Sequence, residues 1–252
     1  MQRKVILTLG DRGGTGKTTV AKLLWERLRH NPRARAFDAD GTTGAFSQIY
    51  AVYGDDGAVA VPQPPAGVTP VLLHAEDRDG RDEALRTIMD ADADVVLVDM
   101  PATSLTVLER AQADWSLFDI LDDAGIEVVT VNVVTPYRSS LQNVIRTLRL
   151  APNAHPVVVL NEAFGKRDSF VLWDGSKGQA MLRDRGGIEI VLPALPTRQA
   201  VLVDAADLPF GDAAKRELDA IDRAYVDRWL RAVEAAFEPA ASVLCLSMAV
   251  SA

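Results

Sequence analysis

The stretch Gly10-Asp11-Arg12-Gly13-Gly14-Thr15-Gly16-Lys17-Thr18-Thr19 decides the reading of this chain. It follows an apolar run, Val5-Ile6-Leu7-Thr8-Leu9, and opens a segment with helical periodicity, Val20-Ala21-Lys22-Leu23-Leu24-Trp25. A strand, a glycine-rich turn and a helix in that order form a cradle for phosphate. Glycines let backbone N–H groups approach an anion without a Cβ in the way, and the helix N-terminus adds the positive end of its dipole. In such a loop Lys17 reaches the β/γ-phosphates and Thr18 places its hydroxyl on Mg²⁺. The strict pattern begins with a glycine where this chain has Asp11, and Gly10 with the Gly13-Gly14 pair supplies the freedom instead. The reading is a nucleoside phosphate site; an ordinary glycine-rich turn is the alternative.

Two acidic signals lie further along. Asp94-Val95-Val96-Leu97-Val98-Asp99-Met100-Pro101-Ala102 is an apolar, largely β-branched run that ends in a carboxylate. That is the pattern of a parallel strand buried on both faces, and open α/β sheets bind ligands at the C-terminal edge, where Asp99 falls. Earlier, Ala34-Arg35-Ala36-Phe37-Asp38 reads as a short strand running into Asp38-Ala39-Asp40-Gly41-Thr42-Thr43-Gly44. An acidic, glycine-bearing loop after a strand suits a sensor of the γ-phosphate. Phosphoryl transfer depends mainly on positioning and electrostatics, so a carboxylate that orients water is what the chemistry calls for. Taken alone, Asp38-Ala39-Asp40 would be a solvated turn, and Asp99 could cap the turn that follows it.

The loop resembles the deviant phosphate loop of the ParA/MinD superfamily of ATPases. The resemblance is carried by Arg12-Gly13-Gly14-Thr15-Gly16-Lys17-Thr18-Thr19, and it extends in order and spacing to Asp40 and Asp99. It implies ATP and Mg²⁺ as ligands, with Gly13, Gly14, Thr15, Gly16, Lys17, Thr18 and Thr19 around the phosphates. Thr18, Asp40 and Asp99 would serve the metal, Asp40 the attacking water, and Asp99 would be the Walker B aspartate, its Asp-Met-Pro matching the family's Asp-x-Pro. The family carries a signature lysine where this chain has Arg12. There it reaches across a nucleotide-sandwich homodimer, and arginine keeps the charge and adds a fork suited to phosphate. A solvated loop charge is the other reading of Arg12. In the family an asparagine after a later strand reads the adenine edge, and Asn161, ending Pro156-Val157-Val158-Val159-Leu160-Asn161, matches it. The next residues, Glu162-Ala163-Phe164, lack the aspartate that reads guanine, so ATP is favoured. The layout is similar to the TraL-like conjugal-transfer ATPases. The implied fold is α/β, a mostly parallel sheet with helices on both faces, a P-loop NTPase of the ParA/MinD type; the strand–helix alternation supports it independently.

Composition sets the limits. The chain has 252 residues, 48% hydrophobic and 25% charged, which suits one domain with a sizeable core. We read residues 1–238 as that ATPase domain and 239–252 as a C-terminal tail. A net charge of −8 argues against a surface that is basic throughout, though not against a local patch. With one cysteine, Cys245, neither a disulfide within the chain nor a cysteine metal cluster can form, which excludes an iron–sulfur role and fits the reducing cytoplasm. Met1-Gln2-Arg3-Lys4 leads directly into the first strand, so no signal peptide is expected. No apolar run reaches the ~20 residues that span a bilayer.

Other segments read as follows. Residues 53–70 form an irregular connection, and residues 103–124 read as helical. The helix from Tyr137 to Leu150 carries Arg138, Arg146 and Arg149 with no acidic residue, a solvated basic face or a nucleic-acid contact. Lys166 to Gly186 is a polar insertion of helical character. From Asp212 to Phe237 a stripe of Leu218, Ile221, Tyr225, Trp229, Val233 and Phe237 predicts core packing. A membrane-binding helix is the alternative there, which Glu217, Asp219, Asp222 and Asp227 oppose. The expected function is an ATP-hydrolysing switch that forms a homodimer and positions or transfers a protein or DNA cargo in plasmid partition or conjugal transfer. The alternative is a small-molecule kinase or ligase of the dethiobiotin synthetase-like group, its acceptor pocket built from residues 53–70 or 166–186.

Overall fold

The computed structural model describes residues 2–10, 12–73 and 76–246, so Asp11 and the end of the 239–252 segment lie outside it. Seven strands form one sheet: β1 (Lys4–Leu9), β2 (Ala34–Asp38), β3 (Val68–Pro70), β4 (Val95–Asp99), β5 (Glu127–Val134), β6 (His155–Asn161) and β7 (Ile188–Leu192). Their order is β3-β2-β4-β1-β5-β6-β7, and every pairing is parallel. The central strands are short runs of Val, Leu and Ile because both of their faces are covered, and β4 is buried at all five positions.

Alternation along each strand sorts the core into two layers. Ile6, Leu97, Val129, Val131 and Val157 face α1 (Lys17–Leu28), α2 (Ala45–Tyr50) and the C-terminal helix. Val5, Leu7, Val96, Val98 and Val128 face α3 (Arg78–Met89), α4 (Ser104–Trp115) and α5 (Leu117–Asp123). On that second face α6 (Arg138–Leu150) and α7 (Lys177–Asp184) extend the layer, with Phe170 and Trp173 buried against Val134, Val158 and Leu160. The chain closes with α8 (Thr197–Ala206), α9 (Phe210–Arg216) and α10 (Ala220–Phe237).

Three departures from the sequence reading have local causes. Residues 103–124 divide into α4 and α5 at Ser116, whose left-handed backbone (φ 55°) breaks the helix. The 212–237 stretch divides too. Asp219 accepts hydrogen bonds from the N–H groups of Ile221 and Asp222 and so starts a new helix, α10. Ile221 and Tyr225 face solvent, 71% and 50% exposed, because a stripe of every fourth residue drifts about 40° per step around a helix and they lie at its outer end; Val226, Trp229, Val233 and Phe237 are core. Ala240, Leu244 and Leu246 are buried in the layer that holds α10. No helix among the described residues is long and apolar enough to cross a membrane.

Helix α1 carries the phosphate loop, and Trp25 fixes it: the ring is fully buried and its Nε1 donates to the Ala66 carbonyl at 3.3 Å. Trp25→Ala should destabilise the chain by about 3–5 kcal/mol, seen as a lower urea midpoint at unchanged slope.

Candidate functional site

The loop between β1 and α1 leaves the sheet where its neighbours are β4 on one side and β5 on the other. Gly16 is the residue before α1, in a left-handed conformation (φ 99°, ψ 15°), with no side chain capping the helix. The first turn, Lys17-Thr18-Thr19-Val20, holds no acidic residue. Its N–H groups and dipole are therefore presented to the loop, the arrangement that binds anions. Gly16 is required twice over, because a Cβ there would also strike the Asn161 amide. Gly14 is the second loop residue with positive φ (75°).

The loop is tied down from both flanks. Ser104 Oγ, at the start of α4, donates to the Gly10 carbonyl at 3.4 Å. From the end of β6, Asn161 Nδ2 donates to the Thr15 carbonyl at 3.0 Å, while its Oδ1 accepts from the Ala163 N–H at 3.1 Å. Asn161 therefore acts here as a strut under the loop as well as lining the adjoining cavity. Lys17 is buried, and its Nζ donates to the Arg12 carbonyl at 3.1 Å. Arg12 itself is exposed, its guanidinium 5.2 Å from the centre of the Tyr137 ring.

Beside the loop, three strands bring polar side chains to one point. Thr8 and Asp38 are the register partners of Asp99 on the strands flanking β4. All three alternate onto the α1 side of the sheet, since Ile6, Ala36 and Leu97, two residues earlier on each strand, pack into that layer. Thr8 Oγ1 donates to Asp99 Oδ1 at 2.7 Å. Burial pushes the Asp99 carboxyl up to about 7, and the Asp38 charge adds to the rise; hydrogen bonds from Thr18 and Thr8 and the Lys17 charge oppose it. Asp38 is raised as well, first by burial, against hydrogen bonds from its neighbours. Its Oδ2 accepts from the N–H groups of Phe46 and Ser47 at 3.1 and 2.7 Å, and its Oδ1 from that of Asp40 at 3.1 Å. Gly44 makes room for it, because a Cβ there would fall on the carboxylate.

Sequence reasoning passed over Asp38. It singled out Asp40, which is exposed on the loop beyond β2. The signal that would have found Asp38 was the period-two alternation of β2, which places it on the same face as Ala34 and Ala36.

The donor set fits the groups the resemblance implies. Thr18, Asp99 and Asp38 supply oxygens, the ligands that Mg²⁺ takes. Among the described residues no group of three or more His, Cys, Asp or Glu could hold a metal by itself. A metal here would thus arrive with phosphate oxygens. Next to Asn161 opens a cavity of about 400 Å³, large enough for a nucleoside, walled by Tyr50, Leu192, Pro193, Phe210 and Trp229. Thr19 and Lys22 enter it from α1, and burial lowers the Lys22 ammonium while Asp204 holds it up.

No family model matches the chain. It is 24% identical over 229 residues to Protein MobD of Acidithiobacillus ferrooxidans, covering 91% of this chain and 94% of that one. Among solved structures it is similar to the MinD cell division protein of Aquifex aeolicus (TM-score 0.50, 18% identity, covering 92% of this chain and 97% of that one). It is also similar to a protein of Borrelia burgdorferi assigned to plasmid partition and bound to AMPPNP (TM-score 0.51, 13% identity, covering 92% and 98%). The fold is thus that of the ParA/MinD type, a seven-stranded parallel P-loop sheet.

Two tests follow from this geometry. A free carboxyl titrates near 4, whereas Asp99 titrates at about 7 in the folded chain, so the folded state holds the extra proton between those values. Its contribution to stability is present at low pH and is lost as pH rises through that window. Asp99→Asn should melt close to wild type at pH 4–5 and several degrees higher at pH 8 without nucleotide. Gly16→Ala should lower nucleotide affinity by at least about tenfold through strain and the clash with Asn161, measured by titration calorimetry.

Proposed function

We propose that this chain is a Mg²⁺-dependent ATPase of the ParA/MinD kind that works as a molecular switch. The observation that carries the reading is the convergence of an uncapped helix N-terminus, Lys17, Thr18 and the Asp38–Asp99 pair at one sheet edge, beside a nucleoside-sized cavity. Fold likeness to a partition protein bound to AMPPNP supports the choice of nucleotide.

Each residue then has a physical task. The loop N–H groups and Lys17 hold the phosphates, the ammonium exchanging the Arg12 carbonyl for a phosphate oxygen. Thr18 and Asp99 hold the metal, which when bound polarises the phosphoryl oxygens. Two buried carboxylates, both raised, gain from a nearby divalent charge. Asp40, exposed at the same edge, orients water. Arg12 contacts the nucleotide of a second copy, so ATP favours a sandwich homodimer and slow hydrolysis dissolves it. The output is the positioning or transfer of a protein or DNA cargo, in plasmid partition or conjugal transfer. The small-molecule kinase reading draws less support. The 166–186 segment packs into the α6 layer through Trp173 and Leu182, and Gln63 bonds the connection after α2 back onto Val52.

Solution mass with ADP, ATP and a non-hydrolysable analogue tests the switch. The analogue should give a dimer for wild type and a monomer for Arg12→Ala. Equal mass in every nucleotide state, with the analogue demonstrably bound, would falsify the sandwich. Asp40→Ala should retain nucleotide affinity while turnover drops on the order of 100-fold, read by phosphate release.

A further inference from the structure

Arg12 is engaged at both ends. Its backbone carbonyl accepts from Lys17 Nζ at 3.1 Å and from Thr15 Oγ1 at 3.3 Å. Its guanidinium lies over the Tyr137 ring, 5.2 Å from the centre. The two partners differ in firmness. Tyr137 is the last residue before α6, with extended backbone (φ −85°, ψ 153°), and directly follows Pro136, whose ring fixes its own φ. Just ahead, the Thr135 N–H donates to Ser140 Oγ at 3.2 Å, pinning that junction across the first turn of α6. The backbone that carries the ring is thus held in place at the sheet edge, and the ring itself is 56% exposed. Arg12 sits instead in the loop, followed by the adjacent glycines 13 and 14.

The carbonyl and the guanidinium belong to one residue, so the two contacts move together. A phosphate oxygen carries a full charge where a carbonyl carries a partial one, so a bound phosphate displaces the Arg12 carbonyl from Lys17. With the Lys17 contact gone the Arg12 backbone loses one of its two side-chain restraints, and a turn there carries the guanidinium off the ring. A cation over an exposed aromatic face is a weak bond, strong enough to bias a flexible side chain and weak enough to release it.

We propose that Tyr137 is a positioning residue that parks Arg12 against the body of the chain when no nucleotide is bound. It releases Arg12 when phosphate takes Lys17, so that Arg12 becomes available to a second copy only after loading. This rests on the dimer reading above for its consequence; the parking itself does not.

A double-mutant cycle over Arg12→Ala and Tyr137→Ala tests it in the full-length chain. Without nucleotide, the two substitutions should shift the urea midpoint non-additively, and with saturating non-hydrolysable ATP analogue the coupling should vanish. Tyr137→Ala should also tighten binding of the analogue about two- to five-fold, the equivalent of one exposed cation–π contact that loading no longer has to break. Tyr137→Phe should restore the wild-type value, because the ring remains. In the Arg12→Ala background Tyr137→Ala should change nothing. Additivity without nucleotide overturns parking. So does a Tyr137→Ala effect that persists in the Arg12→Ala background, which would mean that the ring serves the fold or the interface directly. Should wild type never dimerise, the switch reading falls while the cycle still decides parking: coupling lost on nucleotide binding supports it, additivity ends it.

Discussion

Two carboxylates buried in register on neighbouring strands, Asp38 and Asp99, set the terms for the rest of this structure. Charges removed from water repel one another and raise each other's proton affinity. The fold meets this with local hydrogen bonds: Thr8 and Thr18 on Asp99, and the N–H groups of Asp40, Phe46 and Ser47 on Asp38. Burial outweighs those donors and carries the Asp99 carboxyl up to about 7. A site held in this state is preorganised for added positive charge. The uncapped start of α1 and Lys17 lie beside it, so anion and cation sites share one edge.

The same geometry links the site to the frame. The phosphate loop is bonded from the start of α4 through Ser104 and from the end of β6 through Asn161. Asp38, in register with Asp99, bonds the turn that starts α2. The loop and the acidic pair are thus tied to three connections around the sheet edge. The strands beneath, buried on both faces, give those junctions a rigid base.

Much of this was legible in the chain. Glycine spacing, the strand before it and the helix after it marked the turn between β1 and α1, and the β-branched run ending in Asp99 marked the neighbouring strand. Those signals are local, since backbone sterics and period-two burial act over a few residues. What failed was also local in origin but tertiary in outcome. Ser116 separates α4 from α5 and Asp219 caps the start of α10, and periodicity alone cannot register a break that keeps the hydrophobic content unchanged. Ile221 and Tyr225 fit the helical stripe by spacing, yet an every-fourth stripe drifts around the helix and leaves them outward.

By itself, then, the sequence determined the class of sheet, the position of the glycine-rich loop before α1 and the acidic strand ends, because each depends on the conformational freedom or burial of adjacent residues. Only the tertiary structure decided that Asp38 rather than Asp40 is the buried partner of Asp99, that Asn161 braces the loop, and that Arg12 rests on Tyr137. Those outcomes depend on strand register and on residues more than a hundred positions apart meeting in space, as Thr15 and Asn161 do across 146. No pattern along the chain encodes such a meeting; the packing of the sheet does.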